Sequence, residues 1–337
     1  MADSYAGGKS LAAAASTSYA GGEILAEVVR SGFAEGYHRG SVIVLDAAGK
    51  AAAVAGDVLG PVFPRSANKP MQAAGMLRAG LALAEPADLA LAAASHRGEP
   101  MHIQRVRAML RAAGLTEEAL ACPPDLPLSP SARRDVLAAG GQPERVLMNC
   151  SGKHAAMLLT CLAAGWPLAG YRAPEHPLQL ALRAAVTELS GEPVAATGVD
   201  GCGAPVFASS LAGLAGAYLR LVDAPDGTPE RTVADAMRAY PELVSGTGAD
   251  DALLMRGLPG GLAKGGAEGV LAVAVPGVGA VAIKVDDGAM RPRMPVLASA
   301  LHRLGLTAPV LDQLAVHGDG VEQHGGGEVV GTVRALW

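Results

Sequence analysis

The chain places its strand-forming residues at its two ends and its helix-forming residues between them, and this division limits the folds open to it. Two apolar, β-branched runs, 270–275 and 280–285, are joined by Pro276-Gly277-Val278-Gly279 and predict a hairpin. Near the other end, residues 24–30 and 41–46 read as strands. The second of these returns through Ala47-Ala48-Gly49-Lys50 into 51–56 as another hairpin. Residues 329–334 predict a last strand in the same sheet. The middle reads as helices over 86–94, 101–113, 131–140, 153–164, 177–190 and 204–222. One sheet built from both termini and covered by helices is an α+β fold.

Of the 337 residues, 50% are hydrophobic and 18% charged, well short of the roughly 25% usual for globular domains, which predicts a large buried core. A net charge of -5 and 3% aromatics give neither the basic patch nor the stacking surface that nucleic-acid binding uses. Residues 201–219 are uncharged, but Pro205, several glycines and Ser209-Ser210 favour a buried, closely packed helix over a membrane span. Lys9 before Leu11 and four alanines is too short and weak for a signal peptide. Residues 1–20 read as a disordered lead and 21–337 as a single domain. Four cysteines, Cys122, Cys150, Cys161 and Cys202, in a chain of this length do not suggest a disulfide framework, so a cytoplasmic protein is expected.

Ser66-Ala67-Asn68-Lys69 follows a loop bounded by prolines and puts a hydroxyl and an amine on one helix face. There a buried, deprotonated Lys69 could activate Ser66, whose place at a helix start favours developing negative charge. The same four residues also suit an ordinary helix cap. Ser95-His96-Arg97-Gly98-Glu99-Pro100 breaks an Ala/Leu-rich segment with polar groups, as a site at the end of an element would, and as a capped loop would too. Asn149-Cys150-Ser151-Gly152-Lys153-His154 brings a thiol, an amine and an imidazole into one turn. Gly198-Val199-Asp200-Gly201-Cys202-Gly203-Ala204-Pro205 adds a second thiol between glycines. Two thiols with His154 or Lys153 suit zinc. Lys264, in Ala263-Lys264-Gly265-Gly266-Ala267-Glu268-Gly269, reads as a lysine in a Gly-rich turn before the late hairpin.

Taken together, these blocks resemble the rhizobial-type L-asparaginases, the class 3 or asparaginase II-like family, in family order over about residues 22–335. The resemblance implies two Ser-Lys tandems, Ser66 with Lys69 and Ser95 with Lys264. It implies a zinc site at Cys150, Lys153 and Cys202. Asp200 would hold the substrate α-amino group, with Arg65 and His154 as active-site neighbours. It also implies an αβα arrangement like that of serine β-lactamases and glutaminases, a homodimer, and hydrolysis of L-asparagine through a covalent β-aspartyl intermediate. Lys264-Gly265-Gly266 departs from the Lys-Thr-Gly-like turn common in the family and lacks its hydroxyl. Two other readings are a related serine acylase or β-lactam-interacting enzyme, which leaves the cysteine blocks unused, and a non-catalytic zinc protein, which leaves both tandems unused.

Overall fold

The computed structural model describes residues 18–337, so all but the end of the expected 1–20 lead lies outside the described residues. The strands are β1 (Glu23–Arg30), β2 (Phe33–Asp46), β3 (Ala51–Ala55), β4 (Pro61–Val62), β5 (Thr197–Val199), β6 (Pro205–Phe207), β7 (Ser209–Ser210), β8 (Leu262–Gly266), β9 (Val270–Val275), β10 (Gly279–Val285), β11 (Glu322–Gly325) and β12 (Glu328–Ala335). The helices of the first half are α1 (Lys69–Arg78), α2 (Pro86–Ala92), α3 (Pro100–Ala112), α4 (Pro130–Ala138), α5 (Ser151–Ala164) and α6 (Pro177–Ser190). Those of the second are α7 (Leu211–Asp223), α8 (Pro229–Ala239), α9 (Pro241–Ser245), α10 (Asp250–Gly257), α11 (Arg293–Arg303) and α12 (Pro309–His317).

The main sheet is antiparallel and runs β11-β12-β1-β2-β10-β9-β8, with β3 also paired to β2. Both chain ends therefore meet in one sheet, as the hydropathy pattern predicts. β2 is long enough to serve two neighbours: residues up to Gly40 pair with β1, and Gly40 to Asp46 pair with β10. A Cβ at Gly40 would lie 2.3 Å from the Lys284 carbonyl oxygen, so only glycine allows the strands this close. β9 is buried along its whole length, which requires cover on both faces. α7 packs on β2, β9 and β10, while α11 packs on β1, β10 and β12. Among the described residues no helix is long and apolar enough to cross a membrane.

Most expected helices lie within two residues of their predicted starts. Proline at the first helical position recurs in α2, α3, α4 and α6, where its missing N–H costs nothing. Two expectations fail. The helix expected over 204–222 starts only at Leu211, where the Ser210 hydroxyl caps it by accepting from the Gly213 N–H at 2.9 Å. The preceding residues pair as β6 and β7 instead. The segment around Lys264, read as a turn, is the edge strand β8. Pairing with β9 overrides its weak glycine propensity.

Candidate active site

A 3-10 turn, Arg65–Asn68, leads into α1. Arg65 sits at φ 53, a left-handed conformation that costs a non-glycine residue about 1–3 kcal/mol. The strain aims its side chain: Arg65 Nε donates to Asp200 Oδ1 at 2.8 Å. The same oxygen accepts the Gly201 N–H at 2.9 Å, and Asp200 Oδ2 carries no hydrogen bond among the described residues. Glu268, also left-handed at φ 60, comes within 3.8 Å of Arg65 Nη1. The chain thus holds a carboxylate with one oxygen fixed and the other open. Ser66, next to this pair, is half-buried, and its hydroxyl makes no hydrogen bond among the described residues.

Lys69 is 1% exposed, and its amine touches three groups: the Ala94 carbonyl at 2.5 Å, Ser95 Oγ at 2.7 Å and Cys150 Sγ at 3.0 Å. Its hydrogen bond to a serine therefore runs to Ser95, not to Ser66. Ser95 lies just past the end of α2 and is fixed by its own N–H to the Val244 carbonyl at 2.9 Å. Lys69 also links a hydroxyl and a thiol that belong to different blocks of the sequence.

Cys150 caps α5, and Lys153 lies on its first turn. Lys153 Nζ donates to Cys202 Sγ at 3.3 Å. The Cys202 thiol is held far below its usual range by a hydrogen bond from Cys150, with Lys153 and His154 adding to it. Cys150 is pushed up in return, first by that shared proton and then by burial. Burial disfavours the Lys153 ammonium, but the sulfurs of Cys202 and Cys150 outweigh it and raise the amine. Lys153, Cys150 and Cys202 thus form a compact, buried set of two sulfurs and a nitrogen. His154 packs beside them: its Nδ1 lies 2.6 Å from the Tyr171 hydroxyl, and its buried Nε2 has no hydrogen-bond partner. Among the described residues no group of three or more His, Cys, Asp and Glu is arranged to hold a metal; only the amine of Lys153 brings the donor count here to three.

Lys264, 2% exposed in β8, donates to Asp251 Oδ2 at 3.2 Å and to the Gly265 carbonyl at 2.8 Å, and makes no hydrogen bond to Ser95. Asp251, in the first turn of α10, also accepts the Gly265 N–H at 2.9 Å. Burial lowers Lys264, the charge of Lys69 lowers it further, and Asp251 opposes both. Asp251 is lowered despite its burial, by Lys264 and then Arg293. A Cβ at Gly265 would lie 2.6 Å from Arg293 Nη1, so the guanidinium fills the space where the related turn carries a threonine side chain. Asp251, Arg293 and Tyr171 escaped the sequence reading. An acidic pair at a helix start and a lone arginine or tyrosine carry no local signal of burial.

His96 and His102 stack at 5.0 Å behind Ser95. Each ring accepts a backbone N–H at Nδ1, from Gly98 and Glu99 respectively. Each Nε2 meets an oxygen, Ser151 Oγ for His96 and the Glu242 carbonyl for His102. Burial first, then His102 and Lys69, lowers His96; burial lowers His102. The folded protein thus resists protonation that the unfolded chain accepts. The rings take nothing from stability above the ordinary histidine range. As pH falls below about 6.5, each removes roughly 1.4 kcal/mol per pH unit until its folded-state value is reached. Urea unfolding between pH 7 and 5 should show His102→Gln with a shallower loss than the wild type; equal slopes would count against a neutral, buried His102.

A groove of about 1140 Å³, lined by Leu83, Met101, Arg105, Leu159 and Tyr240 among others, includes none of the candidate site residues. The chemistry is concentrated instead where α1, α5, the β5–β6 hairpin and β8 converge. A family described as L-asparaginase II has a model that matches residues 26–335. No curated protein matches the chain.

Proposed function

Because the chain belongs to the L-asparaginase II family over nearly its whole length, we propose that it is an amidohydrolase converting L-asparagine to L-aspartate and ammonia through a serine activated by a buried lysine. The observation that carries this reading is the Lys69 amine, buried and 2.7 Å from the Ser95 hydroxyl, on the turn that also carries Ser66 and the Arg65 that holds Asp200. Asp200 Oδ2 is free to take the substrate ammonium while Arg65 fixes Oδ1. Ser66, beside Arg65 and uncommitted, attacks the side-chain amide carbon, and its proton passes to the Lys69 amine. Backbone N–H groups at the start of the 3-10 turn face the developing oxyanion. The proton then moves through Lys69 and Ser95 to the leaving nitrogen, ammonia departs, and a β-aspartyl ester remains. Water attacks this ester, giving its proton to Lys69 and releasing aspartate and the Ser66 hydroxyl. Lys264, held by Asp251, supplies positive charge behind Lys69.

The Lys69–Ser95 bond favours a second order, in which Ser95 attacks and Ser66 relays. Intact-mass analysis after rapid acid quench separates the two. The adduct should survive in Ser95→Ala and vanish in Ser66→Ala, and the reverse result would give the attack to Ser95. Ammonia release from asparagine, with and without chelator, tests the activity itself. No release, together with turnover of a chromogenic β-lactam, would overturn the asparaginase reading.

Two thiols and an amine are soft donors that suit zinc, and the unpartnered His154 Nε2 beside them marks a place where a further polar group fits. Cys150, Lys153 and Cys202 would hold the ion, which would supply fixed positive charge next to the substrate. The homodimer, the cytoplasmic location and the αβα arrangement shared with serine β-lactamases and glutaminases belong to the same proposal. The last draws support from β9 being covered on both faces.

A further inference from the structure

Tyr171 is buried, and its hydroxyl has two partners. The Ala121 N–H donates to it at 2.9 Å, and His154 Nδ1 lies 2.6 Å away. A backbone N–H can only donate, so the phenol oxygen accepts from Ala121, and its own proton needs an acceptor. His154 Nδ1 is the sole acceptor within reach among the described residues. Were Nδ1 to carry a proton, the phenol oxygen would accept from both Ala121 and His154 and its own buried O–H would go unpaired, a cost of about 1–3 kcal/mol. The lone pair of the imidazole therefore lies at Nδ1 and the ring proton at Nε2. That Nε2 has no hydrogen-bond partner of its own.

We propose that Tyr171 is a positioning residue: it fixes His154 as the neutral Nε2–H tautomer, so that the ring presents a buried, unpartnered N–H one residue from Lys153. A nitrogen that carries a proton cannot bind a metal, so in this tautomer His154 is not a metal ligand. The inference rests on hydrogen-bond accounting and does not depend on which reaction the site performs. It also explains how a histidine one residue from a lysine ligand can remain a donor. The orientation of the ring is set from α5 on one side and from the 121 and 171 segments on the other.

Two-bond ¹H–¹⁵N correlation spectra of the ¹⁵N-histidine protein, with His154→Gln used to assign the signals, read the tautomer directly. Wild-type protein should show an acceptor-type Nδ1 and a protonated Nε2, before and after one equivalent of zinc. A protonated Nδ1, or loss of the Nε2 proton on adding zinc, would overturn the proposal. Tyr171→Phe should release the ring to a mixed or inverted tautomer. An unchanged tautomer in that variant would refute the role of Tyr171. Should Tyr171→Phe not fold, the wild-type spectrum still decides. If zinc does not bind at all, the metal reading fails and the metal-free spectrum alone judges the tautomer.

Discussion

Replacing Lys69 by methionine should abolish asparagine hydrolysis, lowering kcat/KM by about 10⁴-fold, the upper range for loss of a general base. Methionine keeps the length and volume of the side chain and removes only the amine. Three contacts end at once: those to the Ala94 carbonyl, to Ser95 Oγ and to Cys150 Sγ. The fold should survive, because methionine fills the same space, although the Ala94 carbonyl and the Ser95 hydroxyl lose a partner at about 1–3 kcal/mol each. Urea unfolding should therefore show a folded protein with a lowered midpoint while ammonia release disappears. A folded Lys69→Met enzyme within tenfold of wild-type kcat/KM would rule the amine out as the base for either serine. An unfolded variant would instead assign Lys69 a structural task, and Lys69→Arg, which keeps the charge, would then restore folding without activity.

Gly266→Ala should have the next largest effect, although residue 266 contributes no functional group. The added Cβ would lie 2.3 Å from the Pro64 carbonyl oxygen and 3.3 Å from the Ala67 nitrogen. Both atoms are backbone, so neither can rotate away, and β8 must part from the 3-10 turn. That turn carries Arg65 and Ser66, and β8 carries Lys264 two residues before the glycine. A displacement of about 1 Å between reacting groups costs on the order of 10²-fold in rate, and overpacking of this kind about 1–3 kcal/mol in stability. The expected result is a folded protein with kcat down about 100-fold and a modestly lower urea midpoint. Wild-type kcat in Gly266→Ala would mean that the contact between β8 and the turn does not hold the site.

The parts of the molecule that depend on local chemistry were legible in the sequence. The β9–β10 hairpin is written in β-branched residues and a Pro-Gly turn, α2, α3, α4 and α6 in the prolines that open them, and the ends of α3 to α6 in the glycines that follow. Strand β8 was not legible, because Lys264-Gly265-Gly266 has no strand preference of its own; a neighbouring strand and a carbonyl 200 residues earlier in the chain make it one. The same limit applies in the site. Helical spacing put Lys69 beside Ser66, which is sound for neighbours on one turn, but the amine bends instead to a hydroxyl 26 residues further on. The thiol blocks were visible as blocks, while the opposite shifts of Cys150 and Cys202 are a property of their meeting. Asp251 and Arg293 gave no sign at all, since an acid at a helix start is ordinary until a lysine is buried against it.

The joining of the two chain ends in one sheet also has a consequence in time. β1 pairs with β2, its neighbour along the chain, and with β12, which is made long after it. Single helices of the middle can form early, since their hydrogen bonds join near neighbours in the chain. The full sheet waits for β12, and contacts between distant segments are the slow ones to form. Lys264 arrives with β8, after Ser66, Lys69 and both thiols have long been made. A nascent or half-folded chain therefore holds two serines, a lysine and two sulfurs with no second lysine behind them. If the proposed hydrolysis needs both lysines, chemical competence comes only with the closing contacts, and activity would be a late marker of folding.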